Sequence, residues 1–177
     1  DKLARNAHGA KMTKYEAHVL YHSIYIPAMS YSLPAVYLTR KELEDVESKM
    51  ITAILPKLGF NRNLPREVVF GPFEQGGMGL AGLYVTQGTA HVIAAIRQTR
   101  MDSGQLSNVM KIAEEWAQKI TGNERRLFDD VKVDLPYLPN GWIKNTREFL
   151  DKSNSRLHYT FDTNLGKLRQ NDRLLME

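Results

Sequence analysis

The sequence of 177 residues contains no cysteine. This absence excludes disulfide frameworks, thiolate zinc sites, iron–sulfur clusters and cysteine nucleophiles. The sequence also lacks the run of about 18 apolar residues that a membrane-spanning helix needs, and its start lacks the basic-then-apolar pattern of a secretion signal. We therefore expect an intracellular protein, cytoplasmic or nuclear. Its first residue is Asp1 and not methionine, so we also expect a piece of a longer chain.

A strong excess of charge of one sign is absent as well. Lysine and arginine number 24 against 20 acidic residues, which gives a net charge of +4. This mild excess excludes a long basic arm, so a nucleic-acid partner would have to be bound by a local patch. Hydrophobic residues make up 42% of the chain, which is enough for a core that needs no metal or disulfide.

Hydrophobic periodicity predicts a bundle of about five helices. Thr39 and Glu42 have the spacing of a capping box at the start of one helix, and Pro56 and Gly59 mark its end. Pro27 is expected to stop the helix before it, and Asn140 to cap the last one. The predicted helices span residues 12–26, 40–58, 81–100, 106–121 and 141–150.

Two short segments alternate between apolar and polar residues with the period of a β-strand. They are residues 131–135 and 157–161, and we expect them to pair, because a single exposed strand is unstable. A further short strand is expected at residues 67–70, inside a glycine-rich loop over residues 60–80. The sequence thus predicts a mainly α (α+β) fold. It has a helical body over residues 1–122 and a mixed α/β segment over residues 123–177.

Motifs for phosphate hydrolysis and for metal binding are incomplete. Gly71 and Gly76 have the spacing of a phosphate-binding loop, but Gly77 and Met78 stand where a lysine and a hydroxyl are required. His18 and His22 have the helical spacing of zinc ligands, but no glutamate base lies between them. A role in the core or on the surface is favoured for both histidines.

No catalytic residue emerges elsewhere in the chain. Asp129 and Asp130 follow Phe128 directly, without the spacer residue of the aromatic-x-Asp-Asp turn of polymerases. A solvated loop is therefore favoured there. A nucleophile elbow is absent too. The sequence assigns no catalytic residue, no metal ligand and no cofactor to this chain.

Four stretches carry a resemblance to a known family. The first comprises residues 25–27 (YIP) and 31–35 (YSLPA), and the second comprises residues 57–62 (KLGFNR) and 65–66 (PR). The third comprises residues 69–72 (VFGP), 76–80 (GGMGL) and 87–88 (QG). The fourth comprises residues 142–143 (WI), 147–150 (REFL) and 169–173 (RQNDR). In this order they make the chain resemble the region after the catalytic palm in reverse transcriptases of retrotransposons that lack long terminal repeats. The likeness covers residues 15–176.

The resemblance implies a thumb and connection module of an RNA-directed DNA polymerase. Such a module grips the template–product duplex, so the implied partners are an RNA–DNA hybrid and the upstream palm and fingers of the parent chain. Because the aromatic-x-Asp-Asp turn is missing, the resemblance implies a module without activity alone, whose Mg²⁺ belongs to the absent palm. No membrane partner is expected.

Candidate nucleic-acid-binding residues flank the glycine-rich loop. Three cations lie within ten positions, where they could contact phosphates, next to amide side chains and to glycines whose N–H groups could approach an anion. A glutamine and two arginines on the following helix could extend the track. The candidates are Lys57, Asn61, Arg62, Asn63, Arg66, Gly76, Gly77, Gly79, Gln87, Arg97 and Arg100. The alternative, that these arginines are merely solvated and the glycines only turn the chain, stays open.

A helical protein-interaction domain that docks a partner chain is the other open function. Five of the eight tyrosines precede Thr39, and we expect them to form a half-buried helical surface that faces the absent palm. They are Tyr15, Tyr21, Tyr25, Tyr31 and Tyr37. An independent enzyme is the least favoured alternative.

Overall fold

Eight α-helices follow one another in a computed structural model that describes residues 2–100 and 104–158. They are α1 (Lys2–Gly9), α2 (Lys14–Val19), α3 (Ile26–Ser30), α4 (Arg40–Leu58), α5 (Arg66–Phe70), α6 (Leu83–Arg100), α7 (Gln105–Thr121) and α8 (Trp142–Lys152). A π-helical segment, Leu20–Tyr25, joins α2 to α3. The predicted mainly helical class is confirmed. In the described part of the chain, no helix is both long and apolar enough to cross a membrane.

Helix α4 begins and ends as its sequence predicts. The Thr39 hydroxyl accepts a hydrogen bond from the Glu42 amide, and the Glu42 carboxylate accepts one from the Thr39 amide at 2.8 Å. Gly59 closes the helix in the left-handed conformation, at φ 87°. Pro56, however, lies inside the helix and does not end it. Pro56 has no N–H group to donate to the Thr52 carbonyl, and its ring crowds that carbonyl, so it weakens the last turns of α4 without ending the helix.

The predicted helix end at Pro27 is wrong, because the chain stays helical from residue 14 to residue 30. Pro27 has no N–H group, and in an α-helix its ring would collide with the carbonyl four residues back, that of Ser23. The preceding turn widens instead. The Ile26 amide donates to the Tyr21 carbonyl, five residues back, as in a π-helix.

Two hydrophobic clusters form the interior. The N-terminal cluster takes its buried side chains mainly from the helices up to α4, with Val69, Leu80 and Leu83. The C-terminal cluster is built from Ala95, Ala117, Leu127, Phe128, Leu138, Ile143 and Leu150. Helix α6 belongs to both, through Leu83 at its start and Ala95 in its second half.

The predicted two-stranded element is not seen, and no strand occurs within residues 2–100 and 104–158. Residues 67–70 belong to helix α5, and residues 131–135 form turns. The buried guanidinium of Arg147 accounts for the turns, because it donates to the carbonyls of Leu127, Val131 and Val133. The carbonyls of Val131 and Val133 thus accept hydrogen bonds from Arg147 and not from a neighbouring strand. Of the second predicted strand, residues 159–161 lie outside the described residues.

The apolar periodicity of α7 predicts one buried face, and this prediction is partly wrong. The predicted face consists of Leu106, Val109, Met110, Ala113, Trp116, Ala117 and Ile120. Ala117 is buried, and Met110 and Ala113 are half-buried, but the larger apolar residues of the helix face solvent. The exposed ones, which we call the α7 apolar row, are Leu106, Val109, Ile112, Trp116 and Ile120. Ala113 and Ala117 have small side chains, and the rest of the chain packs against α7 on their side only. The larger apolar side chains beside them are left exposed.

Asn140 does not cap helix α8. The cap position is occupied by Gly141, and no side chain bonds to the first turn there. The Asn140 side-chain oxygen accepts a hydrogen bond from the Lys144 ammonium at 3.0 Å instead. The Asn145 amide donates to the Gly141 carbonyl, which is the first hydrogen bond of the helix.

Candidate nucleic-acid interface

The three predicted cations at residues 57–66 do not form one patch. Arg62 is exposed in the turn after α4. Arg66 points inward, where its Nη1 atom is buried and has no hydrogen-bond partner among the described residues. Its charge acts on Glu47 and Tyr21, since it lowers the pKa of both against the larger effect of burial. Arg66 is therefore half-buried and does not join Arg62 in solvent.

The N–H groups of the three candidate glycines are hydrogen-bonded within the glycine-rich loop itself. The Gly76 amide donates to Phe73, the Gly77 amide to Pro72 and the Gly79 amide to Gly71, all to carbonyls of the same loop. A side chain at residue 77 would collide with the Gly71 carbonyl, so glycine is needed there for the chain's own close approach. These amides are therefore not free to bind a phosphate.

The predicted binding residues on α6, which are Gln87, Arg97 and Arg100, lie progressively further from the carboxyl end of α4. Gln87 is fully buried, and its side-chain amide donates to the Leu38 carbonyl at 2.9 Å. Since Leu83 lies beside Glu47 and Gln87 beside Leu38, α6 runs toward the amino end of α4. Arg97 is exposed about 21 Å further along α6 than Leu83. Arg100 follows it, so neither arginine lies near Arg62.

Asn61 and Asn63 shape the turn that carries Arg62. The Asn61 side-chain oxygen accepts a hydrogen bond from the Asn63 amide at 2.9 Å, which is an Asx turn. Both side chains are exposed. The turn holds Arg62 in solvent just beyond the carboxyl end of α4.

Tertiary contacts bring a second set of cations to this end of α4. The Lys57 ammonium donates to the Ala10 carbonyl at 2.7 Å, across 47 residues of sequence. The Lys14 ammonium lies 3.0 Å from the position that a side chain at Gly59 would take. Lys11 follows Ala10 directly and is exposed. We call Lys11, Lys14, Lys57 and Arg62 the α4 basic cluster.

The positive charges of the α4 basic cluster are not neutralised by neighbouring acidic side chains within the described residues. None of its four members forms an ion pair with a described residue. The acid nearest in sequence to Lys14 is Glu16, whose carboxylate accepts hydrogen bonds from the Thr13 amide and hydroxyl at 2.7 and 2.9 Å. The partial negative charge at the carboxyl end of α4 attracts Lys14 and Lys57. The Lys57 ammonium has two further N–H groups beyond the one given to Ala10.

Two exposed aromatic residues adjoin the α4 basic cluster. Tyr15 follows Lys14 and is 76% exposed, whereas Phe60 follows Gly59 and is 46% exposed. Basic side chains can bind phosphates, and exposed rings next to them can stack on bases. The arrangement therefore has the chemistry of a nucleic-acid surface.

Half of this cluster is not evident from spacing along the chain, because Lys11 and Lys14 reach α4 only through folding. One signal could have found them. The segment of residues 2–14 contains four lysines and arginines and no acidic residue. That local excess is hidden by the modest net charge of the whole chain.

A second polar group lies inside the N-terminal cluster, around Glu47. The Glu47 carboxylate is 6% exposed and accepts a hydrogen bond from the Leu83 amide at 2.7 Å, at the first turn of α6. Burial raises the pKa of Glu47 to about 7. The Tyr21 hydroxyl donates to the Ala81 carbonyl, while the Tyr25 hydroxyl has no partner among the described residues. These groups hold α6 against α4.

The described residues hold no group of three or more potential metal ligands. His18 and His22 stack with their ring centroids 4.4 Å apart. Burial of the His22 ring, together with the neighbouring His18, lowers the pKa of His22. Comparison of the chain with protein-family models, with curated proteins and with solved structures finds no match.

Proposed function

We propose that this chain is a nucleic-acid-gripping module of the thumb and connection type. It holds the template–product duplex of an RNA-directed DNA polymerase by phosphate contacts. The observation that carries the proposal is the α4 basic cluster, in which two distant segments of the chain bring four cations together with no acidic partner within residues 2–100 and 104–158. The ordered resemblance to the region after the palm of retrotransposon reverse transcriptases supports the same function.

The grip acts on the phosphate backbone and carries no sequence preference. Lysine and arginine side chains that neutralise phosphates release condensed counterions, so affinity falls steeply with salt. With three to four phosphate contacts on a duplex, the logarithm of the binding constant is expected to fall with a slope of about −3 against the logarithm of salt concentration.

The test is fluorescence anisotropy with a labelled RNA–DNA hybrid at several potassium chloride concentrations. The triple variant Lys11→Gln, Lys14→Gln, Arg62→Gln removes three exposed cations. We expect weaker binding and a salt slope smaller in magnitude by two to three, at about 0.9 per phosphate. Lys57 is left unchanged because it also ties α4 to Ala10.

A matched control changes the charge equally at a distance from α4. The variant Lys111→Gln, Lys119→Gln, Lys132→Gln also removes three exposed cations, all in the C-terminal half. It should leave the slope within about 0.5 of the unmodified chain, since it loses no phosphate contact. Equal slopes for the two triple variants would show that the α4 basic cluster is not the interface.

The module is proposed to lack polymerase activity alone. The resemblance assigns the metal-binding aspartates and their Mg²⁺ to an upstream palm, which together with the fingers is the proposed partner within the parent chain. The purified chain should therefore incorporate no nucleotide on a primed RNA template. Mg²⁺-dependent incorporation by this chain alone would contradict the proposal.

The α7 apolar row favours the alternative function, a helical domain that docks a partner chain. A continuous apolar surface of this kind is typical of protein-interaction sites. This function would be preferred if the chain bound no nucleic acid at any salt concentration, and if Ile112→Lys with Trp116→Lys abolished a stable complex with a protein fragment. The α4 triple variant would then keep that complex.

A further inference from the structure

The exposure of Tyr15 departs from the pattern of its own helix. Tyr21 and Tyr25, further along the same helical stretch, are buried and lie with their ring centroids 5.4 Å apart. Tyr15 precedes this buried pair and is instead open to solvent beside Lys14. The N-terminal cluster thus makes no use of the Tyr15 ring.

Phe60 is turned out of the core by the end of α4. Leu58 is buried, and the left-handed conformation of Gly59 reverses the chain direction immediately after it. The Phe60 amide donates back to the Leu55 carbonyl at 2.9 Å, which fixes the residue at the helix end. The backbone of Phe60 is thereby fixed next to Gly59, which Lys14 contacts, and its ring is 46% exposed.

We infer that the α4 basic cluster binds single-stranded nucleic acid, with Tyr15 and Phe60 stacking on unpaired bases while the cations hold the phosphates. The inference rests on the proposed function, because the phosphates must first be bound by this surface. Cations interleaved with aromatic rings are the common feature of sites that bind single strands. In a duplex the base faces are stacked on one another, so the rings act only where a strand is unpaired.

The experiment compares two 12-nucleotide strands by fluorescence anisotropy. One is oligouridine, and the other has abasic residues at its six central positions, so that it keeps the phosphates and loses those bases. The unmodified chain should bind oligouridine at least tenfold more tightly than the abasic strand, since stacking on one base changes affinity by about fivefold to a hundredfold. The salt slope should be the same for both strands.

Substitution of the two rings should remove this preference. The variant Tyr15→Leu, Phe60→Leu keeps apolar side chains of similar exposure and loses the rings, so it should bind both strands alike with an unchanged salt slope. Tyr31→Leu is the matched control, because Tyr31 is 91% exposed and lies 16 residues further along the chain, at the end of the same helical stretch. It should keep the full preference.

The outcomes separate this inference from the proposed function. Equal affinity of the unmodified chain for both strands, with the salt slope intact, would overturn the stacking inference and leave phosphate binding in place. A preference that survives loss of both rings would likewise overturn the assignment to Tyr15 and Phe60. Absence of binding to any strand or hybrid would overturn both proposals. Unfolding by urea confirms that each variant is folded.

Discussion

The Glu47 carboxylate accepts a hydrogen bond from the Leu83 amide at 2.7 Å, and so a buried acid on α4 caps the first turn of α6. Burial raises its pKa from 4.5 to about 7. Between these two values the folded chain holds a proton that the unfolded chain has released. Stability should therefore fall as the pH rises from 4.5 to 7, by about 3 kcal/mol at most, and stay low above pH 7.

The variant Glu47→Gln should lose this pH dependence, because the amide cannot ionise and its oxygen can still accept from Leu83. We expect it to be more stable than the unmodified chain at pH 8 and about equally stable at pH 4, measured by urea unfolding. His22 and His91, whose pKa burial lowers, act in the opposite direction, so the comparison with the variant is needed to isolate Glu47. An unchanged pH profile in the variant would contradict the assignment.

Tyr21 and Tyr25 offer a matched pair of hydroxyl deletions. The Tyr21 hydroxyl donates to the Ala81 carbonyl at 2.8 Å, and the Tyr25 hydroxyl has no partner in the described part of the chain. Tyr21→Phe should cost about 1 to 2 kcal/mol because it leaves a carbonyl unpaired, whereas Tyr25→Phe should cost less than about 0.5 kcal/mol. Thermal unfolding of both variants checks the difference, and equal costs would show that the bond to Ala81 adds nothing.

Gly88 lies against Phe149 where α6 and α8 cross. A Cβ atom at residue 88 would stand 2.2 Å from the Phe149 ring. Gly88→Ala should therefore destabilise the chain by about 1 to 3 kcal/mol, although alanine favours helix over glycine by about 1 kcal/mol. In a Phe149→Ala background the same change should become stabilising. A double-mutant cycle measures this reversal of sign, and a stabilising Gly88→Ala in the unmodified chain would rule out the close contact.

Arg147 is expected to stabilise the turns of residues 127–133. It is buried and donates to three carbonyls of that segment. Arg147→Met should cost about 2 to 4 kcal/mol, because it removes several charge-assisted hydrogen bonds and leaves buried acceptors unpaired. Hydrogen exchange should show lost protection in residues 127–133. Protection equal to that of the unmodified chain would mean that the turns persist without the guanidinium.

The α7 apolar row should contribute little to folding. Ile112 is 64% exposed, so Ile112→Ala should change the free energy of unfolding by less than about 0.5 kcal/mol. Leu127→Ala is the control, since that residue is fully buried and its truncation should cost about 2 to 5 kcal/mol. A large loss of stability in Ile112→Ala would mean that this side chain is buried in the folded chain.

Helix ends are predictable from the sequence where residues a few positions apart are enough to fix them. The capping pair of Thr39 and Glu42 and the left-handed Gly59 fix α4 by contacts within a few residues, and Gly122 ends α7 in the same way. The strand prediction at residues 131–135 was wrong because the alternating pattern is the same in a strand and in turns bonded by Arg147. The guanidinium lies 14 to 16 residues away in sequence from the two carbonyls that it bonds in this segment.

The candidate site was predictable only in part, for a similar reason. The exposure of Arg62 follows from its turn, whereas the half-buried position of Arg66, where its charge acts on the distant Glu47, is set by tertiary packing. Lys14 reaches Gly59 only because α2 packs against α4. Spacing along the chain reveals which residues carry charge. Tertiary packing decides which of them share a surface.

Helix α6 begins in one hydrophobic cluster and ends in the other. A protease cut or a flexible insertion in the middle of this helix would therefore separate the side chains that α6 contributes to the two clusters, and it would destabilise both. Neither half could be expressed alone with its apolar residues covered, unless it retained residues 83–100. We expect fragments to survive limited digestion only when they keep this helix whole, so it sets where the chain can be divided for further study.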